Sequence, residues 1–139
     1  MNDQSFIDDY LNRYKESLAQ TDSEKLIQAK EILLGARDKG SKVILAGNGG
    51  SASMASHVAV DLTKQAGVRA VNYNEADLIT CFANDYGYEH WVGKAIEFYG
   101  DEGDVVILIS SSGSSQNMVN AVKSAKKLGM RVITFTGFN

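Results

Sequence analysis

The sequence predicts an α/β fold, a doubly wound parallel sheet preceded by two helices. From residue 42 onward, short apolar runs alternate with helical patterns, the mark of strands joined by helical crossovers. Two of those runs break into Gly/Ser loops that each open a helix. The run Val105-Val106-Ile107-Leu108-Ile109 has no polar position, as a central strand covered on both faces requires.

The elements follow in order. Residues 5–19 carry Phe6, Ile7, Tyr10, Leu11, Tyr14 and Leu18 at helical spacing, with charged residues between. Thr21-Asp22-Ser23 offers N-caps for a second helix, which runs through Leu26, Ile32, Leu33 and Ala36 to Gly40 after Arg37 and Lys39. This pair, residues 1–40, reads as a lid on the core or as a subunit-bundling element. The core, residues 41–139, completes a single domain. Its first strand is 42–46. A loop at 48–51 follows, then a helix of small residues over 52–62. A second strand is expected at 68–73, a short helix at 77–82 leading into Asn84-Asp85-Tyr86-Gly87, and a helix at 88–99. The third strand is 104–109, the next helix about 115–128 with Met118, Ala121, Val122 and Ala125 inward, and the fourth strand 131–136. Gly137 reads as the start of another loop.

Composition narrows the classes of function. Fourteen Lys and Arg against seventeen Asp and Glu give a net charge of −3 and a pI of about 5.3, so no broad basic surface for direct nucleic-acid binding is expected. No apolar run approaches the ~18 residues of a membrane span. The start, Met1-Asn2-Asp3-Gln4, lacks the basic-then-apolar layout of a signal peptide. Cys81, the one cysteine, cannot form an internal disulfide and reads as a buried small side chain. The expected compartment is the cytoplasm.

The candidate chemistry sits in the two loops. Ala46-Gly47-Asn48-Gly49-Gly50-Ser51 and Ser110-Ser111-Ser112-Gly113-Ser114-Ser115 each join a strand to a helix. Small residues let an anion approach the backbone, and the helix start supplies free N–H groups and a positive dipole end. Two hydroxyl-rich loops of this kind suggest a phosphorylated ligand with hydroxyl groups of its own; each alone could be a plain turn. No Gly-Lys-Ser/Thr follows the first loop and it lacks G-x-G-x-x-G, which argues against a nucleotide. His57 and Asp61, four residues apart, share a helix face. They could hold a divalent ion, zinc above others for the nitrogen donor, or simply bond each other. His90 reads as a core or surface residue. Asp85 could cap a turn or meet a ligand. No Gly-x-Ser-x-Gly elbow is present, which speaks against a hydrolase triad.

Taken together these residues resemble the sugar isomerase (SIS) domain family, and within it the sedoheptulose 7-phosphate (phosphoheptose) isomerases. Four matches in order carry the resemblance: Ala46–Ser51, His57 with an acid at Asp61, Ala83-Asn84-Asp85-Tyr86-Gly87, and Gly103-Asp104-Val105 running into Ser110–Ser115. The resemblance implies a flavodoxin-like sheet of five parallel strands and a homotetramer held by the N-terminal helices. It implies a sugar phosphate held by Ser110, Ser111, Ser112 and Ser115, with Asn48, Gly49, Gly50, Ser51 and Asp85 around it. It also implies aldose–ketose isomerisation toward D-glycero-D-manno-heptose 7-phosphate, as in heptose supply for lipopolysaccharide or capsule. Asp61 would be the base, His57 and Asp61 the metal ligands, and zinc the cofactor that polarises the sugar.

The chain departs from the family pattern in places. Asp61 stands where the isomerases have Glu, drawing the carboxylate back by about 1.5 Å, one C–C bond length. Ser111 and Ser114 replace Thr and Asn. The family's fifth strand and its C-terminal helix, with a second acid/base His, have no counterpart in the chain. The alternative reading is a non-catalytic SIS module that binds a phosphosugar or a partner protein such as a replication initiator; a third is an isomerase of a shorter sugar phosphate.

Overall fold

Period-two alternation in the strands decides how the core is built. In a strand, successive side chains point to opposite faces. Ile44, Ala46, Val106 and Leu108 fall in one buried cluster, and Val43, Leu45, Val105 and Ile107 in another. The sheet therefore has two apolar faces, and each needs a helical cover.

The computed structural model describes residues 2–137; what was expected of Met1, Phe138 and Asn139 lies outside them. Its elements are α1 (Asp3–Ala19), α2 (Ser23–Lys39), β1 (Lys42–Gly47), α3 (Gly50–Ala66), β2 (Arg69–Asn72), α4 (Ala76–Tyr86), α5 (Trp91–Tyr99), β3 (Val105–Ser110), α6 (Gln116–Lys127) and β4 (Arg131–Thr136). Two compact units divide at Lys30 and Glu31, inside α2.

In the first unit, the Asn2 side chain caps α1 by accepting from the Ser5 N–H at 2.8 Å. Asp22 Oδ1 accepts from the N–H groups of Glu24 and Lys25 and so starts α2. α1 buries none of its residues; Phe6, Tyr10, Leu11 and Tyr14 are all exposed.

In the second unit the four strands are all parallel, in the order β2-β1-β3-β4. The chain leaves β1 for β2 on one side, then returns past β1 to build β3 and β4 on the other. The order reverses between β1 and β3, which makes their carboxyl ends the switch point where such sheets bind ligands. One face is covered by α5 and α6 through Trp91, Ile96, Met118, Ala121 and Ala125. The other is covered by Ala36 of α2 and by Ala55 and Ala59 of α3. Alanines on α3 let that helix lie close to the strands.

Several elements differ from the sequence expectation. α3 begins at Gly50 rather than residue 52 and continues to Ala66, where Gly67 at φ +64° ends it. α4 runs on to Tyr86, because nothing breaks it before Gly87 at φ +88°. Asn84 and Asp85 thus lie in a helix, not in a loop. α5 begins only at Trp91, after a turn in which the His90 N–H bonds the Gly87 carbonyl. Cys81 is exposed, not buried: Leu78, Ile79 and Phe82 take the inward face of α4, and Cys81 shares the outward face with Asp77 and Asp85, four residues to either side. His90 is on the surface.

Candidate functional site

β1 and β3 pair up to Gly47 opposite Ile109, and both loops spring from that point. The first turns sharply over β1. A Cβ at Gly47 would lie 2.6 Å from the backbone carbon and oxygen of Ser51, so only glycine admits this fold-back. Gly49 follows at φ +53° and ψ −121°, a conformation closed to other residues. The Ser51 N–H bonds the Asn48 carbonyl at 3.0 Å, and those of Ala52 and Ser53 bond the Gly49 carbonyl. Gly49 is the N-cap of α3 and provides no side-chain cap.

The second loop is its counterpart on β3. Ser110 is buried at the strand end; Ser111 and Ser112 are exposed. Gly113 at φ +67° returns its N–H to the Ser110 carbonyl. Ser115 is the N-cap of α6, again without a side-chain cap, and its hydroxyl lies 3.5 Å from that of Ser110. With the Ser51, Ala52 and Ser53 N–H groups bonded within the turn, the start of α3 leaves the Gly50 N–H for an outside acceptor. The start of α6, where Met118 and Val119 bond the Ser115 carbonyl, leaves those of Gln116 and Asn117. A helix N-terminus ringed by serine hydroxyls, as at α6, can hold a phosphate dianion.

Three side chains bridge the loops. Asn48 Nδ2 donates to Asn117 Oδ1 at 2.9 Å, and Asn117 Nδ2 donates to Asn48 Oδ1 at 2.7 Å. The Met118 N–H also points at Asn117 Oδ1, at 3.1 Å, which fixes which end of that amide is oxygen. The Tyr88 hydroxyl donates to Asn48 Oδ1 at 3.1 Å. On the far side of the first loop, Asn74 Nδ2 donates to the Ala52 carbonyl and the Ser56 hydroxyl, pinning the start of α3 to the end of β2.

His57 and Asp61 do meet, with Nε2 and Oδ2 3.3 Å apart, and their side chains are 80% and 55% exposed. They are displaced by ~200° around α3 from the buried Ala55 and Ala59, so they face away from the sheet. Asp61 lies about 16 Å along the helix axis from Gly50. The pair suits a metal as two of the four ligands zinc takes. Among the described residues, no group of three or more His, Cys, Asp or Glu gathers for a metal ion. Asp85 accepts from Asn84 Nδ2 at 2.9 Å and lies 3.8 Å from Cys81 Sγ, both on its own helix.

Comparison with known proteins bears on this arrangement directly. The family model described as the SIS domain matches residues 6–137. The chain belongs to the SIS domain family. It is 38% identical over 135 residues to a phosphoheptose isomerase of Histophilus somni and 36% identical over 130 residues to one of Thermodesulfovibrio yellowstonii. These alignments cover 93% and 89% of the chain, which spans 68% and 65% of the length of the two relatives. Its fold superposes on the structure of a phosphoheptose isomerase from Neisseria gonorrhoeae with a TM-score of 0.87 at 33% identity, over 96% of this chain and 74% of that one. The α/β class and parallel sheet read from the sequence are those of this SIS fold.

Sequence reading of the SIS loops did not single out Asn117 or Tyr88. Asn117 reads as an ordinary polar residue at a helix start, yet it is 3% exposed. A polar residue beside the inward Met118, next to a ligand loop, was the available signal.

Proposed function

We propose that the chain carries the phosphosugar-binding and base residues of a phosphoheptose isomerase, interconverting sedoheptulose 7-phosphate and D-glycero-D-manno-heptose 7-phosphate. The carrying observation is the pair of uncapped helix starts at the switch point, joined to a helix, α3, that bears an acid beside a histidine. Ser110, Ser111, Ser112 and Ser115 receive the phosphate, with the N–H groups of the first loop opposite. The phosphate and the reacting carbons lie at opposite ends of the sugar, about 9 Å apart at full extension. That is less than the span from Gly50 to Asp61, so Asp61 serves a sugar held by the loops of a second copy of the chain. The Asp61 carboxylate takes the proton from the carbon beside the carbonyl and returns it to the former carbonyl carbon, while the hydroxyl proton on the first carbon passes to the former carbonyl oxygen through the enediol. His57 and Asp61 would hold zinc, which when bound supplies polarisation of the carbonyl oxygen. The isomerase names of the relatives favour turnover over a purely binding role.

The same reading includes a homotetramer assembled through α1, supported by the exposed Phe6, Tyr10, Leu11 and Tyr14. It also places the protein in the cytoplasm; no helix among the described residues is long and apolar enough to cross a membrane.

The test is NMR of sedoheptulose 7-phosphate incubated with the zinc-supplemented chain, beside Asp61→Ala. New heptose anomeric signals that vanish in the variant support the reading. A folded chain without turnover sinks it and leaves a phosphosugar-binding module.

A further inference from the structure

Strand pairing between β1 and β3 stops at Gly47 and Ile109, and the loops beyond it must hold their spacing by other means. Asn48 follows the last paired residue of β1, and Asn117 lies in the first turn of α6. Their side-chain amides pair in both directions across the gap. Asn117 is 3% exposed, so water does not replace either bond, and its oxygen is already shared with the Met118 N–H. The Asn48 oxygen takes a second donor from Tyr88. Asn48 is therefore engaged through both ends of its amide, which leaves its backbone, not its oxygen, to face a ligand.

We propose that Asn117 is a positioning residue for the two-loop site: its amide sets the distance between the N–H groups of the first loop and the hydroxyls of the serine loop, so that one sugar phosphate engages both. This rests on the sugar-phosphate reading above. Inorganic phosphate, small enough for the serine loop alone, does not depend on that distance. A sugar phosphate does.

The variant is Asn117→Asp. It keeps an acceptor for the Met118 N–H and suits a helix start, where the dipole favours an acid. It turns an oxygen toward Asn48 Oδ1, and the loops part. Asn117→Ser also removes the pair without adding charge, and it carries the phosphate comparison and, if the aspartate variant does not fold, the KM comparison as well. The expected result is a KM for sedoheptulose 7-phosphate raised about 10- to 100-fold, the scale of a ~1 Å misplacement. kcat stays within about threefold, and in Asn117→Ser, which adds no charge beside the phosphate, inorganic phosphate affinity stays within about twofold, since Asp61 and the serine hydroxyls are not touched. In Asn117→Asp the added charge also weakens phosphate. A residue of merely structural importance gives the opposite pattern: kcat falls with the folded fraction and KM stays. That pattern, or phosphate affinity of Asn117→Ser falling in step with KM, overturns the proposal and leaves the isomerase reading standing. If the parent chain binds sedoheptulose 7-phosphate no better than inorganic phosphate, the sugar-phosphate reading fails and the positioning role with it.

Discussion

Lys42 and Asp104 tie the starts of β1 and β3 together through both ends of the lysine. The Lys42 backbone N–H donates to Asp104 Oδ1 at 2.7 Å, and its ammonium reaches Oδ2 at 2.9 Å. The Asp101 N–H donates to Oδ2 at 2.9 Å, and the Asp104 carbonyl accepts from Arg131 at the start of β4. The Lys42 ammonium also pairs with Asp101. Asp104, only 2% exposed, thus ties β1 to β3 through its carboxylate and β4 to β3 through its backbone carbonyl, at the edge opposite the ligand loops.

This staple makes the fold sensitive to acid. Burial alone pushes the Asp104 carboxyl up, but the hydrogen bonds from Lys42 and Asp101 and the lysine charge together outweigh it and hold it below its ordinary 3.8. The pairing to Asp101 first, then to Asp104, raises Lys42 above 10.5. A carboxyl depressed in the folded state contributes fully above its unfolded value and loses that contribution as pH falls through the folded one. Stability in urea titrations should therefore drop below about pH 4. Asp104→Asn should cost about 3 kcal/mol at pH 7 and flatten that acid limb. An unchanged acid limb in the variant would assign the loss to other groups.

How much of this the sequence disclosed depends on how local each feature is. The unbroken Val105–Ile109 run could only be a covered strand, and Gly49 and Gly113 marked their loops because positive φ is a local demand. The inward set of α6 followed from helical spacing. Asn117 was not legible, because its meaning lies in a partner 69 residues away, brought near by the parallel pairing of β1 and β3. Cys81 was misread for a related reason: apolar character put it inside, whereas the rotation of α4, set by Leu78, Ile79 and Phe82 against the sheet, turned it out. Asp85 read as part of a loop because helix continuation up to Gly87 leaves no strong local mark.

Gly47→Ala tests the fold-back of the first loop. A methyl group there would press on the Ser51 backbone at 2.6 Å, and backbone cannot yield as a side-chain tip can. The sheet should survive, with a stability loss of about 1–3 kcal/mol. Ser51 and the start of α3 should shift, and sugar-phosphate affinity should fall at least ~10-fold by calorimetry. Parent-like affinity would show that the loop has room the geometry denies.

Charge on α1 tests the assembly. Leu11 and Tyr14 are 46% and 56% exposed. An apolar side chain gains about 1.5–3 kcal/mol when fully covered. Leu11→Asp with Tyr14→Asp should lower the particle mass measured by light scattering while the far-ultraviolet circular dichroism stays that of the parent. A mass unchanged by both substitutions would remove α1 from the interface.

Asp61→Glu separates the two duties assigned to that position. Asp61 reaches His57 Nε2 at 3.3 Å from one turn further along α3, and a glutamate would carry its carboxylate one methylene outward from the helix. If the acid works as a base at the sugar carbon, the longer side chain should raise kcat, by up to about 10²-fold where reach is the only deficit. Asp61→Asn keeps the size and hydrogen-bonding oxygen but not the basicity, and should abolish turnover while leaving inorganic phosphate affinity within about twofold. Turnover retained by Asp61→Asn would take the base role away from this residue. A glutamate variant that binds zinc more tightly yet turns over no faster would leave Asp61 only as a metal ligand.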